Sequence, residues 1–479
     1  MKLHFIEEPE LEFGGGGRHI DIRHGITEHG PLDRGLSSAP QVVRLGVVGT
    51  ATDVEQLRAW IDLCRRGIDA KKSKRTTLFV GFPGFGENNT LADFVVDDRL
   101  IDTISAADVR TITESDIPSF NLASIERYHQ GASDLIDKGN ANVVMCLLPE
   151  EFVRRIDVPT NPEHGPRSRR IRKRQDDVVW HDVFKAKALT LARPVQVVRP
   201  AIYSGGVHRF TRDGRAGREM QDEATRAWNL FCALYYKAGG IPWRLVREST
   251  DLMTCYMGIS FYHDPASATL RTSVARVFNE RGEGMVVRGG PAVLDERDKS
   301  PHLSPRDAEH LLIQAVESFR REHRTSPARL VCHKSSYFTK SELEGCATAV
   351  KQLRLDAYDL LSLRPSRTRL YRDHGYPPLR GTSVIHTNGC LLYTQGSVDF
   401  YRCYPGKYAP RTLDVQLDHA EYGELGLLTE VLALTKMNWN STELINLEPI
   451  TISAARSVGG ILRYVPPNVH AQSRFSYFM

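Results

Sequence analysis

No run of about 18 apolar residues occurs in this chain, which excludes an expected membrane-spanning helix. The opening Met1-Lys-Leu-His-Phe5, followed by Glu7 and Glu8, lacks the basic and apolar regions of a secretory signal. Paired cysteines are missing too. Cys64, Cys146, Cys232, Cys255, Cys332, Cys346, Cys390 and Cys403 stand singly with no C-x-x-C among them, so neither a zinc site nor a disulfide framework is indicated. Buried thiols in a reducing cytoplasm are the expectation. No Walker A motif, no G-x-G-x-x-G after a strand, no H-E-x-x-H and no G-x-S-x-G occurs. Gly14 to Gly17 lacks the lysine and the strand–helix setting of a phosphate loop. Strong charge of one sign is absent as well. The net charge of +5 permits a polyanionic partner without requiring one.

What is present is ordinary for a globular chain. Of 479 residues, 41% are apolar and 25% charged, and that length suits two or three domains. Residues 1–40 are read as a Gly-rich strap, too short to form a domain and suited to lie against another surface. Residues 41–240 alternate strands with helices. Val43–Val48 is a strand, Thr52-Asp53 can cap a helix to about Arg66, and Leu78–Phe85 is a second strand ending in a turn. Leu122–Asp137 is helical, and 142–148 is a third strand. A 178–192 helix, a 195–199 strand and a 221–238 helix follow. This alternation predicts a doubly wound, mostly parallel α/β domain.

Residues 241–479 read differently. Leu252–Tyr262, Ser273–Phe278 and Gly284–Val287 form an antiparallel meander. Ser304-Pro305 with Asp307 starts a helix to about His323. A strand at Leu330–His333, a helix at 341–353, strands at 382–386 and 391–395, and helices near 426–436 and 449–463 complete it. This is the order of a ribonuclease-H-like fold.

His181 and Lys185 share one helix face, four residues apart. Gln196 interrupts an apolar strand, and Lys237 ends the next helix. A cation, an imidazole and an amide together suit a terminal phosphate and its base. A solvated helix face with an incidental glutamine suits the same residues equally, and the spacing leaves both open. The basic run Arg167–Arg174 is similarly either a solvated loop or a set of phosphate contacts.

Several stretches resemble a known family across nearly the whole length. They are Phe13 to Arg23, Phe82-Pro-Gly-Phe85, Tyr256-Met-Gly-Ile-Ser260, His333-Lys-Ser-Ser336, Met437-Asn-Trp-Asn440, Ile450-Thr451 and Ala454–Gly460. Together they are similar to a short prokaryotic Argonaute, built of a Rossmann-like MID domain followed by a ribonuclease-H-like PIWI domain, with no N- or PAZ domain. The resemblance places His181, Lys185, Gln196 and Lys237 at the family's guide 5′-phosphate positions, with His181 where a tyrosine is usual. It implies Mg²⁺ bridging that phosphate to the Met479 carboxylate, with Phe475, Tyr477 and Phe478 as apolar anchors.

Slicing members of the family carry aspartates where this chain has Ser260 and Lys334. Two-metal hydrolysis needs those carboxylates, so an inactive PIWI domain is expected, with Lys334 free to contact a backbone phosphate. Val287-Arg-Gly-Gly290 offers no glutamate finger. Glu342 and Glu344 are expected to be solvated, and Asp264 is a distant candidate ligand. The resemblance further implies a guide RNA, a single-stranded DNA target, and a heterodimeric APAZ-bearing effector of TIR, sirtuin-like or nuclease type. Target recognition would then activate that effector, possible outcomes being NAD depletion and abortive infection, with oligomerisation on target binding. An active guide-directed nuclease and a non-specific nucleic-acid-binding protein are the alternatives.

Overall fold

A computed structural model of the chain describes all residues except 87–90, 158–178, 205–219, 249–250, 264–268, 278–283, 296–298, 372–374, 388, 407, 467–468 and 470. The basic run Arg167–Arg174 and Asp264 therefore lie outside the described residues. No helix among the described residues is long and apolar enough to cross a membrane.

The first lobe is built on a four-stranded parallel sheet in the order Asp93–Thr103, Val42–Gly49, Val143–Leu147, Val195–Val198. Val143–Leu147 is buried along its whole length, as a strand covered on both faces must be. Helix Ala51–Arg66 starts two residues earlier than Thr52-Asp53 suggested. Thr50 is the cap, its hydroxyl oxygen accepting from Asp53 N at 3.2 Å.

The second strand is not Leu78–Phe85. That segment makes only one isolated bridge, Ile68 to Phe82, because Pro83 has no N–H and Gly84 has φ +90°. Its aromatics serve the core instead. Phe82 meets Trp228 edge-on at 5.0 Å, and Phe85 meets Phe94 at 5.1 Å. The strand in that place is Asp93–Thr103, whose Asp97, Asp98 and Arg99 hide its pattern. As an edge strand it tolerates charge.

The second lobe centres on a nine-stranded sheet among the described residues. Its order is Lys2–Phe5, Thr382–His386, Gly389–Leu392, Leu413–His419, Ala357–Pro365, Arg329–Lys334, Thr254–His263, Leu270–Val277, Gly284–Pro291. The last three pair antiparallel, and Arg329–Lys334 runs parallel to both Thr254–His263 and Ala357–Pro365. That is the ribonuclease-H-like arrangement, with helices Pro305–His323 and Lys340–Leu353 on one face and Ile450–Leu462 on the other. Gly258 permits the close approach of the last helix, since a Cβ there would stand 2.0 Å from Thr451 O.

The strap belongs to this chain's own fold. Lys2–Phe5 is an edge strand of the large sheet, and Leu11–Glu12 pairs with Arg18–His19 and Arg244–Leu245. Glu8 pairs with Arg380 at 2.7 Å and Lys436 at 3.1 Å. Asp21 caps helix Ile22–His29, and Asp33 accepts from Tyr235 Oη at 2.7 Å and Ile241 N at 2.9 Å. At the lobe junction Tyr236 stacks on Trp439 at 4.8 Å, and Trp439 Nε1 donates to Trp243 O at 3.3 Å.

Alternation along the strands corrects the reading of Lys334. Cys255, Met257 and Ile259 face the core beneath helix Pro305–His323, together with Leu330 and Cys332. Lys334 follows that second series, whereas Ser260 belongs with Tyr256 and Gly258 on the opposite face. Lys334 is thus not beside Ser260 and does not reach a groove. It is buried, pairing with Glu342 at 2.7 Å and donating to Tyr337 O at 2.8 Å. Glu342 is correspondingly not solvated. Its carboxylate accepts from Leu303 N and Thr339 N, both at 2.8 Å, closing a capping box. Glu344 is exposed as expected.

Removing one partner of a buried pair strands the other. Glu342→Ala should therefore cost ~3–5 kcal/mol in reversible chemical unfolding. A loss under ~1 kcal/mol, the size of a surface pair, would contradict this assignment.

Candidate guide-binding site

Helix Trp180–Ala188 is held by its apolar side. Trp180 and Phe184 stack at 5.3 Å, and Trp180 Nε1 donates to Ser124 Oγ at 2.8 Å. That packing directs Lys185 inward, so it is almost fully buried. Lys237 arrives from the last turn of helix Glu223–Lys237 and is buried likewise. Both ammonium groups converge on one acceptor. Lys185 Nζ donates to Val195 O at 2.8 Å and Lys237 Nζ to the same oxygen at 2.9 Å.

The chain end completes the arrangement. Lys237 Nζ donates to Met479 O at 2.7 Å, and Lys185 Nζ lies 3.4 Å from Tyr477 O. Phe475 and Phe478 are buried, Gln472 N donates to Leu189 O at 2.9 Å, and Tyr477 Oη donates to Ala192 O at 2.8 Å. The tail is therefore packed onto the first lobe rather than frayed.

Gln196 follows Val195 on the strand. Its Nε2 donates to Val197 O at 3.1 Å, while its Oε1 is buried with no hydrogen-bond partner among the described residues. His181 lies at the solvent edge, one turn before Lys185, with Nδ1 3.1 Å from Asp182 Oδ1. The structure thus brings Lys185 and Lys237 together at Val195, sets Gln196 beside them on the strand, and leaves His181 outermost.

The electrostatics of the pair are unusual. No Asp or Glu side chain among the described residues pairs with either lysine; their partners are the main-chain oxygens of Val195 and Tyr477 and the terminal carboxylate of Met479. Burial pushes Lys185 down to about 8. Burial, and then Lys185 beside it, push Lys237 well below the ordinary lysine range. Two desolvated lysines that share one carboxylate, that of Met479, favour a further incoming anion.

Sequence reasoning named the Met479 carboxylate at this site but missed the main-chain oxygens of Val195 and Tyr477 that gather the lysines with it, since every residue has one. It also missed Arg193 and Arg474, which line a cleft with Lys237, Tyr236, Asn142 and Tyr477. Arg193, directly before a strand-opening proline, was the available signal. Ser260 is buried on Thr254–His263, and the main chain of Ser335 donates to Ile259 O at 3.0 Å beside it.

No protein-family model matches this chain, and no curated protein matches it. Solved structures do. Clostridium butyricum Argonaute, bound to a guide DNA (5′ deoxycytidine) and a 19-mer target DNA, superposes with a TM-score of 0.62 at 13% identity, covering 98% of this chain and 54% of that one. Drosophila Piwi superposes with a TM-score of 0.58 at 12% identity, covering 99% of this chain and 56% of that one. The chain spans about half the length of these structures. Its fold is that of the Argonaute/Piwi proteins: a Rossmann-like MID unit followed by a ribonuclease-H-like PIWI unit.

An anion bound here raises both lysine pKa values, so binding takes up protons. Affinity for a 5′-phosphorylated oligonucleotide should fall as pH rises from about 7 towards the ordinary lysine range near 10. Fluorescence anisotropy at constant ionic strength measures it, and a flat profile would place the phosphate elsewhere.

Proposed function

We propose that this chain is a guide-loaded nucleic-acid sensor of the short prokaryotic Argonaute kind, with no slicing activity of its own. The observation that carries the reading is the pair of buried lysines, Lys185 and Lys237, meeting at Val195 O with no Asp or Glu partner among the described residues and one terminal carboxylate, Met479, between them. A guide 5′-phosphate supplies the negative charge that one carboxylate leaves short. Gln196 offers an amide beside it, and His181, at the rim, stacks on the first guide base. The solved Argonaute with guide and target DNA supports a guide-and-target role for this fold. By the family resemblance the guide here is a small RNA and the target single-stranded DNA of a plasmid or phage.

Mg²⁺ fits the site by donor type. The Met479 carboxylate oxygen is a hard ligand of the kind it takes. When bound, the ion neutralises charge on the phosphate. The residues themselves orient that phosphate and exclude water from it.

The second lobe holds the guide–target duplex by its backbone. Ser260 stands where a slicing relative has an aspartate, and Lys334 is committed to Glu342 on the other face of the sheet. Recognition is then reported through an APAZ-bearing effector subunit in a cytoplasmic heterodimer. A TIR, sirtuin-like or nuclease effector would deplete NAD⁺ or degrade DNA, giving abortive infection, with assembly into oligomers on target binding.

Charge-assisted contacts contribute roughly 1.5–3 kcal/mol each. Lys185→Ala with Lys237→Ala should therefore weaken a 5′-phosphorylated guide far more than a 5′-hydroxyl guide. Equal losses would point to non-specific binding instead.

The purified chain, loaded with guide and matched target and given Mg²⁺ or Mn²⁺, should yield no cleavage. A product at one fixed distance from the guide 5′ end would establish the nuclease reading.

Co-expressed with its genomic neighbour, the loaded chain should trigger NAD⁺ loss or collateral DNA degradation only with matched target. The same activity without target would exclude the sensor role.

A further inference from the structure

Away from the lysine pair, two histidines and a glutamate meet at the N-terminal segment. His19 ends the Arg18–His19 strand, and His24 and Glu28 stand four apart on helix Ile22–His29, on one face. One ring nitrogen from each histidine and one Glu28 carboxylate oxygen lie within 4.8 Å of one another. Among the described residues no other three His, Cys, Asp or Glu side chains gather so closely.

The surroundings orient both rings. Phe400 sits edge-on to His19 at 5.1 Å and to His24 at 5.2 Å. His24 Nε2 lies 3.3 Å from Thr77 O, to which its N–H donates, leaving Nδ1 with a lone pair. His19 Nδ1 lies 3.0 Å from Asp21 O and 2.8 Å from Asp21 N, leaving Nε2 outward. A ring N–H donated to a main-chain carbonyl, with the other nitrogen left for the ion, is the supporting pattern of metal-ligating histidines, and His24 shows it. Asp21 is not itself a ligand: it is buried, capping the helix and pairing with Arg23 at 3.2 Å.

We infer that His19, His24 and Glu28 form a site for a borderline first-row divalent cation of the Zn²⁺ class, with water in the fourth position. Two imidazoles and one carboxylate are the donor set that such an ion takes in preference to Mg²⁺ or Ca²⁺. Bonds of roughly 2.0–2.2 Å require the three atoms to draw closer. The Glu28 side chain, 53% exposed, would swing inward by giving up its 3.8 Å contact with His29 Nε2. In the metal-free chain Asp21 N–H points at His19 Nδ1, which places the ring proton on Nε2. Loading through Nε2 moves that proton to Nδ1, and the ring must then turn from the Asp21 N–H towards Asp21 O, which accepts it, so that charge and protons balance at that ring.

The location gives the ion a task. The ligands belong to the N-terminal segment, but Thr77 comes from the first lobe and Phe400 from the second. A bound cation locks the two rings and so fastens that segment against both lobes. This inference is independent of the guide-binding role.

The test uses the full chain, stripped with EDTA and titrated with Zn²⁺ alone by calorimetry, with thermal unfolding alongside. One equivalent should bind at micromolar affinity or tighter and raise Tm. Glu28→Gln and His24→Gln, checked to match the wild type in metal-free Tm, should each lose about tenfold or more in affinity. His310→Gln, an exposed control, should lose none. Co²⁺ in place of Zn²⁺ should give visible d–d bands that change in Glu28→Gln. No stoichiometric binding, or binding that survives both His24→Gln and Glu28→Gln, would overturn the site.

Discussion

The carbonyl oxygen of Val195 holds two ammonium groups at once, and much of the molecule is arranged to make that possible. A buried cation without a counter-charge is costly, and two side by side cost more. The chain meets this cost with main-chain oxygens from Tyr477 and Met479, brought by a tail that packs onto the first lobe. Those oxygens hold the lysines in place, and the single Met479 carboxylate among them does not neutralise both. The site is thereby left short of negative charge, which is the state in which an anion gains most.

Position there depends on the lobes being fixed to each other. Lys237 ends helix Glu223–Lys237, and the residue before it stacks on Trp439 of the second lobe. Trp243 Nε1 donates to Lys436 O, and Lys436 in turn pairs with Glu8 of the N-terminal segment. One chain of contacts thus runs from the lysine site through the junction to the strap. A shift of the second lobe relative to the first would move the tail, and with it the oxygens that hold the lysines.

The second lobe is built on a ribonuclease-H-like sheet, and several of its described ionic groups are committed to pairs within it. Arg329 reaches Asp359 at 2.6 Å and Glu430 at 2.5 Å, and Lys334 reaches Glu342. These carboxylates brace strands against helices. His333, on the face opposite Lys334, lies with Nδ1 2.8 Å from Thr451 Oγ1, and burial pushes its pKa down to about 3. A neutral imidazole at that point is a packing element of the sheet and the Ile450–Leu462 helix.

Much of this was legible in the residues. The alternation of strands and helices defined both lobes, the Ser304-Pro305 start placed its helix, and His181-x-x-x-Lys185 with Gln196 and Lys237 drew attention to the junction. Local signals of this kind are set by neighbouring residues, which is why they can be read from sequence. The Asp93–Thr103, Ala357–Pro365 and Leu413–His419 strands escaped, the first because edge charge masked its pattern. The facing of Lys334 depends on strand register, the burial of Glu342 on a helix cap folded over it, and the meeting of His19, His24 and Glu28 on how a short strand turns into a helix. By itself the sequence determined which groups could bind an anion. Only the tertiary structure decided which of them are desolvated together, because burial and the sharing of one carbonyl are properties of segments far apart in the chain.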